Sequence, residues 1–182
     1  MKTILVSGAS GIVGYGILNS LAEVCTNLKL IGTSIYKGSV AKAFCDKFEL
    51  APKTEHTKKY YAWLNRMIKK HSIDLLIPGI EVDAYSWNEN RKQINAQMML
   101  NSYNLLNLCQ DKWKFYKKLN RGLFRGVGLT IPTFLASEFI GEAKEFNKLK
   151  KEFNTSKFIV KPRFGCGSKG IVRFSTADNL LR

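Results

Sequence analysis

The chain has 182 residues, of which 45% are hydrophobic and 12% aromatic, enough to bury the core of one ordinary domain, or of one domain and part of another. This composition argues against a disordered chain. No apolar run approaches the roughly 20 residues of a membrane span, and the N-terminus lacks a signal-peptide core of about 7–15 apolar residues. We therefore expect a cytoplasmic protein with no membrane partner.

The net charge of +15 points to an acidic partner or to a solvated basic surface. Six lysines and arginines lie between residues 112 and 125, beside a single acid, Asp111. Nucleic acid is the sharper interpretation of such a cluster. We favour a solvated helix face, because no sequence signature of a nucleic-acid-binding fold accompanies the charge.

The four cysteines are scattered and none forms a C-x-x-C pair, which argues against a zinc site or a disulfide framework. Reduced thiols in a reducing compartment fit this spacing best. The cysteines are Cys25, Cys45, Cys109 and Cys166.

The first two thirds of the chain alternate short strands and helices. The apolar patterns predict strands over residues 3–7, 28–33, 48–51, 74–79 and 97–100. They predict helices over residues 12–24, 40–48, 58–71, 84–93, 105–109 and 111–124. This alternation predicts an α/β fold, in which a parallel sheet has helices on both faces.

A glycine-rich turn follows the first strand, and its G-x-x-G-x-x-G spacing comes from Gly8, Gly11 and Gly14, with Ser10 between them. Dinucleotide binding is one interpretation, but a NAD site needs an acid after the second strand, and residues 31–37 contain none. A Tyr-x-x-x-Lys pair is also absent. We therefore favour a tight turn that binds no dinucleotide and keep an NAD(P)-binding oxidoreductase or epimerase as the alternative.

Two acids, Glu81 and Asp83, follow the fourth predicted strand at the same carboxyl edge of the sheet. They could bind the amine of a substrate or cap the next helix, and the sequence favours neither role.

The pattern changes after a glycine-punctuated stretch at residues 121–128, which we take as a domain boundary near residue 125. An extended segment at 130–134 and a helix over 138–153, capped by Ser137, are predicted next. Strands at 158–161 and 171–174 flank a second glycine loop, and a last helix begins at 175.

The second glycine loop is the most informative segment. Nine residues, 162–170, separate Lys161 from Ile171, whereas a hairpin needs only two to five. The loop holds three glycines and a serine, Gly165, Gly167, Ser168 and Gly170, and the serine precedes the lysine, so it is not a Walker loop. Glycines let backbone amides approach anionic oxygens, and a strand-borne lysine adds charge. The pattern predicts a loop that binds phosphates.

Residues 161–171 resemble the phosphate loop of ATP-grasp ligases, and most closely the branch similar to the carbamoyl-phosphate synthase large subunit. Residues 111–116 resemble the helix that opens the ATP-grasp region, and 126–132 the entry to its first subdomain. Residues 8–14 and 78–83 resemble the preceding Rossmann-like domain. The resemblance implies a Rossmann-like α/β domain at 1–125, followed by a partial α+β ATP-grasp subdomain at 126–182.

The resemblance also implies a reaction that uses ATP and Mg²⁺. A small-molecule carboxylate is phosphorylated to an acyl phosphate, which an amine or similar nucleophile then attacks. Lys112 and Lys161 would contact the nucleotide phosphates, and Gly165, Gly167, Ser168 and Gly170 would close over them. Gly8, Ser10, Gly11, Gly14, Glu81 and Asp83 are the candidate residues on the substrate side. A non-catalytic basic binding module and a homo-oligomer remain further hypotheses.

In this family the magnesium carboxylates and the adenine-binding hinge would lie beyond residue 182, and no residue of the chain is assigned to a metal. We therefore expect the 182-residue chain by itself to hydrolyse ATP no faster than its Lys161→Ala variant. A phosphate-release assay on both proteins tests this, and release by the unmodified chain above that of the variant would contradict it.

Overall fold

The computed structural model describes residues 1–24, 27–120, 131–138, 143–155, 157–165 and 167–174. The chain divides into two compact units, Met1–Leu106 and Asn107–Arg182. The predicted domain boundary near residue 125 lies outside the described residues and stays a prediction.

The first unit is built on a five-stranded parallel sheet. Its strands are β1 (Lys2–Ser7), β2 (Leu28–Ser34), β3 (Lys47–Leu50), β4 (Leu75–Pro78) and β5 (Gln97–Met98). They run in the order β3-β2-β1-β4-β5, and every pair is parallel. The predicted α/β class is confirmed, and the carboxyl ends of all the strands meet at one edge.

Helices α1 (Ile12–Val24), α2 (Thr57–His71) and α3 (Glu81–Glu89) belong to this unit, together with short 3₁₀ turns at Val40–Phe44 and Arg91–Gln93. Helix α4 (Tyr103–Gln110) runs across the division between the units. Among the described residues, no helix is both long and apolar enough to cross a bilayer.

Successive residues of the strands point to opposite faces of the sheet, and each face has its own core. On one face Leu5, Ile31 and Leu76 pack with α2, Trp87 and Ile94. On the other face Ile4, Val6, Leu30 and Ile77 pack with Leu18 of α1 and Ala41 of the 3₁₀ turn. Burial on both faces explains why the strands read as continuous apolar runs rather than as alternating patterns.

Helix α2 contributes most to the first core. The helical spacing of the apolar residues predicts that Tyr61, Leu64, Met67 and Ile68 face inward, and all four are buried. Tyr60, Trp63 and His71 are buried as well, so the apolar stripe is wider than the pattern predicted. The helix ends where Ser72 takes a left-handed conformation and its amide donates to the carbonyls of Ile68 and Lys69.

Helix α1 spans the predicted residues 12–24, but Val13 and Val24 at its ends are 62% and 76% exposed. They lie in the first and last turns, whereas the side chains that pack on the sheet, Ile17, Leu18 and Leu21, occupy the middle of the helix.

Several helices and strands have bounds that differ from the predicted ones. Helix α3 begins at Glu81 rather than at residue 84, residues 40–44 form a 3₁₀ turn rather than a longer helix, and β5 has only two residues. Ser137 lies within a 3₁₀ turn, Ala136–Glu138, and α6 spans Ala143–Glu152. The glycine-punctuated stretch and the last predicted helix, at 121–130 and 175–182, lie outside the described residues.

The second unit contains α5 (Lys112–Leu119), α6 and an antiparallel pair formed by β6 (Phe158–Val160) and β7 (Val172–Phe174). Ile159 pairs with Arg173 at the centre of this ladder. The predicted hairpin is confirmed, and the second glycine loop joins its two strands.

The edge strand β3 is attached to the end of α2 through Glu49. Its Oε1 accepts hydrogen bonds from Lys70 Nζ at 2.8 Å and from His71 Nε2 at 2.7 Å. Partial burial raises the pKa of Glu49, but the bonds from Lys70 and His71 outweigh it and hold the pKa below its usual value.

This geometry predicts a pH-dependent contribution to folding. Because the pKa of Glu49 is lower in the folded chain, its stabilisation is present above the unfolded-state value of about 4.3 and is lost as the pH falls through the folded-state value. Glu49→Gln should lower the free energy of unfolding by up to about 1 kcal/mol at pH 7 and by less at pH 3. Urea denaturation at both pH values measures this, with Glu55→Gln as the control at an exposed site. An equal loss at both pH values would contradict it.

Candidate functional site

The second glycine loop turns through four left-handed residues. The φ angles are 109° at Gly165, 66° at Gly167, 59° at Ser168 and 72° at Gly170. A Cβ atom built on Gly165 or Gly167 would meet nothing within 4 Å, whereas one on Gly170 would lie 2.8 Å from Pro162 Cγ. There is therefore open space on the Cβ side of Gly165 and Gly167, whereas Gly170 is closely packed.

The structure brings Lys112 to this loop from 53 residues away in the sequence. Lys112 Nζ donates to the carbonyl oxygen of Gly165 at 2.7 Å, and the Lys112 amide donates to the carbonyl oxygen of Arg163 at 3.2 Å. Two residues predicted for one phosphate site, Lys112 and Gly165, are thus in direct contact.

Asp111 and Arg163, which lie close to this contact in the sequence, form an ion pair joined by two hydrogen bonds. Arg163 Nε donates to Oδ1 at 2.7 Å and Nη2 donates to Oδ2 at 2.6 Å. The Asp111 side chain is only 2% exposed, and its Oδ1 also accepts from the amides of Trp113 and Lys114, which caps α5. The hydrogen bonds from Arg163, followed by those from the two amides, lower the pKa of Asp111 to about 2.

Sequence reasoning did not include Arg163 among the site residues and assigned Asp111 no role beyond its place in a motif. The sequence signal that could have indicated this pair is the isolated acid Asp111 in a lysine-rich segment, because a nearby cation stabilises the charged form of a carboxylate.

Lys161, the other predicted phosphate contact, lies next to the last residue of β6 with its side chain exposed. Among the described residues it has no hydrogen-bond or ion-pair partner, and the same is true of Lys169 in the loop. Gly167, Ser168 and Gly170 share the loop with Gly165, so the predicted nucleotide set occupies one loop and the start of α5.

In the first unit, the turn after β1 is tightly packed. Gly8 has a φ of 59°, and a Cβ built on it would lie 2.7 Å from Ile80 Cβ. A Cβ on Gly14 would lie 2.5 Å from the carbonyl oxygen of Gly8. Contact with the turn after β4 therefore accounts for Gly8, and contact within the turn after β1 accounts for Gly14, in agreement with the tight-turn interpretation.

The two other predicted residues of this turn have local partners. The Gly11 amide donates to the Gly8 carbonyl oxygen at 2.9 Å, and Ser10 Oγ donates to Ser34 Oγ at 2.7 Å. Ser10 thus ties the turn to the carboxyl end of β2.

The two candidate acids differ in environment. Both lie in the first turn of α3, but Glu81 is exposed whereas Asp83 is buried. Asp83 Oδ1 accepts a hydrogen bond from Thr54 Oγ1, and burial raises the pKa of Asp83 despite that bond. Nearby, Trp87 Nε1 donates to the Tyr60 hydroxyl at 3.0 Å within the core. Of the two acids, only Glu81 is available to a ligand at the surface.

Apolar side chains are exposed along the same edge of the sheet. They follow the carboxyl ends of β1, β2 and β4, and they are Ile12, Val13, Ile35, Tyr36, Ile80 and Val82. Exposed apolar groups around a sheet's carboxyl edge are typical of a binding surface.

Part of the chain matches a known protein family. Residues 109–181 match the ATP-grasp domain family. Over 82 residues, 45% of this chain, the sequence is 33% identical to the bifunctional polymyxin resistance protein ArnA of Wigglesworthia glossinidia brevipalpis, of which that stretch covers 12%.

Solved structures resemble nearly the whole chain. N5-carboxyaminoimidazole synthetase from Staphylococcus aureus, complexed with ADP, aligns with 98% of it at 16% identity and a TM-score of 0.63. The biotin carboxylase domain of the Hydrogenobacter thermophilus 2-oxoglutarate carboxylase, in complex with MgADP, ADP and bicarbonate, aligns with 99% at 14% identity and a TM-score of 0.65.

The chain spans 42% and 39% of these two proteins. At such low identity the likeness concerns the fold. The α/β fold predicted from the sequence is the one shared with these two proteins, and the ATP-grasp match covers both α5 and the glycine loop.

A matched pair of glycines in α1 tests the packing of the first turn. Gly14→Ala should lower the free energy of unfolding by about 1–3 kcal/mol, because the new Cβ meets backbone atoms of Gly8 and Ala9 that cannot easily move. Gly16→Ala, where nothing lies within 4 Å, should instead stabilise the helix by about 0.5–1 kcal/mol. Urea denaturation of both variants would refute this interpretation if the two shifts had the same sign.

Proposed function

We propose that the chain is the nucleotide-binding part of an ATP-dependent ligase that activates a carboxylate. The carboxylate oxygen attacks the γ-phosphorus of ATP, the bond to the ADP oxygen breaks, and an acyl phosphate forms. An amine or similar nucleophile then attacks the acyl carbon, and phosphate leaves. The contact between Lys112 and Gly165 supports the proposal most directly, because it places a cation at a glycine of the loop that has open space on its Cβ side.

Each residue of the loop has a proposed part in binding phosphates. Lys112 and Lys161 supply positive charge, and backbone amides of the loop, in which Gly165 and Gly167 have open space on their Cβ sides, supply hydrogen-bond donors. Ser168 adds a hydroxyl, and Gly170 closes the turn against Pro162. Such preorganised donors stabilise the charge that develops during phosphoryl transfer.

The family resemblance also implies Mg²⁺. The described residues contain no group of three or more histidine, cysteine or acidic side chains that could hold a metal. Asp111, the acid beside the loop, is already bonded to Arg163 and to two amides of α5. We therefore assign no residue of this chain to magnesium and no step to the ion.

The substrate side is proposed at the carboxyl edge of the sheet. Glu81 is the exposed acid there and would accept hydrogen bonds from the amine of a substrate. Ser10 and Gly11 are the exposed residues of the turn beside it. Gly8, Gly14 and Asp83 would act by shaping this edge, since all three are packed against neighbouring atoms. The carbamoyl-phosphate synthase-like branch, the small-molecule carboxylate and amine substrates, a homo-oligomer and a cytoplasmic location belong to the same proposal.

Nucleotide titration tests this proposal. The 182-residue chain should bind ADP and ATP in calorimetry, and Lys112→Ala should weaken binding roughly 10–100-fold, the effect of losing a charge-assisted hydrogen bond of about 1.5–3 kcal/mol. Lys118→Ala, on the exposed surface of the same helix, is the control and should change the affinity less than about twofold.

The alternatives give different results in the same experiment. Thermal stabilisation by NADPH but not by ATP would favour an NAD(P)-binding oxidoreductase or epimerase. Salt-sensitive retention on heparin with no effect of any nucleotide would favour a basic binding module. Either result, or equal effects of the Lys112 and Lys118 variants, would overturn the nucleotide assignment.

A further inference from the structure

The start of α5 and the start of the glycine loop are joined at one compact junction. Four hydrogen bonds connect them: two from the Arg163 guanidinium to Asp111, one from the Lys112 amide to the Arg163 carbonyl oxygen, and one from Lys112 Nζ to the Gly165 carbonyl oxygen. The loop's first residues are therefore bonded to α5, while the Cβ sides of Gly165 and Gly167 face open space.

The Asp111 carboxylate is the centre of this junction. Oδ1 accepts from Arg163 and from the amides of Trp113 and Lys114, while Oδ2 accepts from Arg163 and lies 3.9 Å from Lys114 Nζ. A carboxylate with 2% exposure and partners on both oxygens has little capacity left for a ligand. Its position indicates a structural anchor for Arg163.

We propose that Arg163 is a positioning residue for nucleotide binding, an inference that rests on the proposed function. Its two-point bond to Asp111 holds the loop entrance against α5, so that Lys112 is placed at Gly165. Arg163 would then not be a phosphate ligand, although it is a cation at the entrance of a phosphate loop. Its charge is matched by the carboxylate that it contacts, and the planar fork fixes the orientation of the backbone at residue 163.

The two roles predict opposite effects of one substitution. Asp111→Asn keeps a side-chain oxygen that caps α5, removes one negative charge and releases Arg163. If Arg163 were a phosphate ligand, the released cation and the more positive site would bind nucleotide more tightly. If Arg163 positions the loop, the same substitution misplaces Lys112 and weakens binding.

A charge-conserving substitution separates the roles a second time. Arg163→Lys keeps the positive charge but loses the planar fork that matches a carboxylate. A phosphate ligand would tolerate this change better than Arg163→Gln. A positioning residue would not, because both variants lose the two-point bond.

The experiment is an ADP titration by calorimetry on the full 182-residue chain. Asp111→Asn, Arg163→Lys and Arg163→Gln should each weaken binding about tenfold, a coupling of ordinary size. The double variant Asp111→Asn/Arg163→Gln should be no weaker than either single one, since both remove the same bond. Lys118→Gln, which removes a charge elsewhere on α5, should bind as the unmodified chain does. Tighter binding by Asp111→Asn, or retained affinity in Arg163→Lys, would overturn the proposal.

A measurement without nucleotide keeps this inference separate from the proposed function. Asp111→Asn and Arg163→Lys should speed hydrogen exchange at the Lys112 amide, which donates to the Arg163 carbonyl, and in the peptide that contains residues 163–165. The later amides of α5 should stay protected in both variants, which shows that the helix is intact. If the unmodified chain binds no nucleotide, the proposed function fails while this exchange still tests the junction. Unchanged exchange in both variants would overturn it.

Discussion

A buried carboxylate joins α5 to the glycine loop in the second unit. Asp111 caps α5 and accepts both hydrogen bonds of the Arg163 fork, so one side chain fixes the start of a helix and the entrance of a loop. Charge-assisted bonds with this geometry are stronger and more directional than neutral ones. Because Lys112 adjoins Asp111 in the sequence, fixing Asp111 also fixes the origin of the Lys112 side chain, whose ammonium group bonds to Gly165.

In the first unit, the main constraint is that two turns approach each other closely. The turns after β1 and β4 meet through Gly8, Gly14 and Gly79, and a Cβ atom at any of these positions would overlap backbone or side-chain atoms. This packing places Ser10 and Glu81 at the same edge of the sheet, since parallel strands end together. Steric contacts thus account for two of the three glycines in the spacing that resembles a dinucleotide motif, Gly8 and Gly14.

The two units have different surfaces at their candidate sites. The sheet edge of the first unit exposes apolar side chains around a small number of polar groups, as is typical of surfaces that bind small molecules. The loop of the second unit has exposed lysines and two glycines with open space on their Cβ sides, features that suit phosphate oxygens.

The sequence by itself determined the alternation of strands and helices, the buried stripe of α2, the β6–β7 hairpin and the phosphate-loop pattern, because each depends on periodicity or on local spacing. Tertiary structure alone decided that Arg163 pairs with Asp111, that Asp83 is buried while Glu81 is exposed, and that Gly14 is required for packing. These outcomes depend on which distant residues meet, 52 positions apart for the ion pair. Local periodicity contains no information about such pairs, since the same residues would suit a solvated surface equally well.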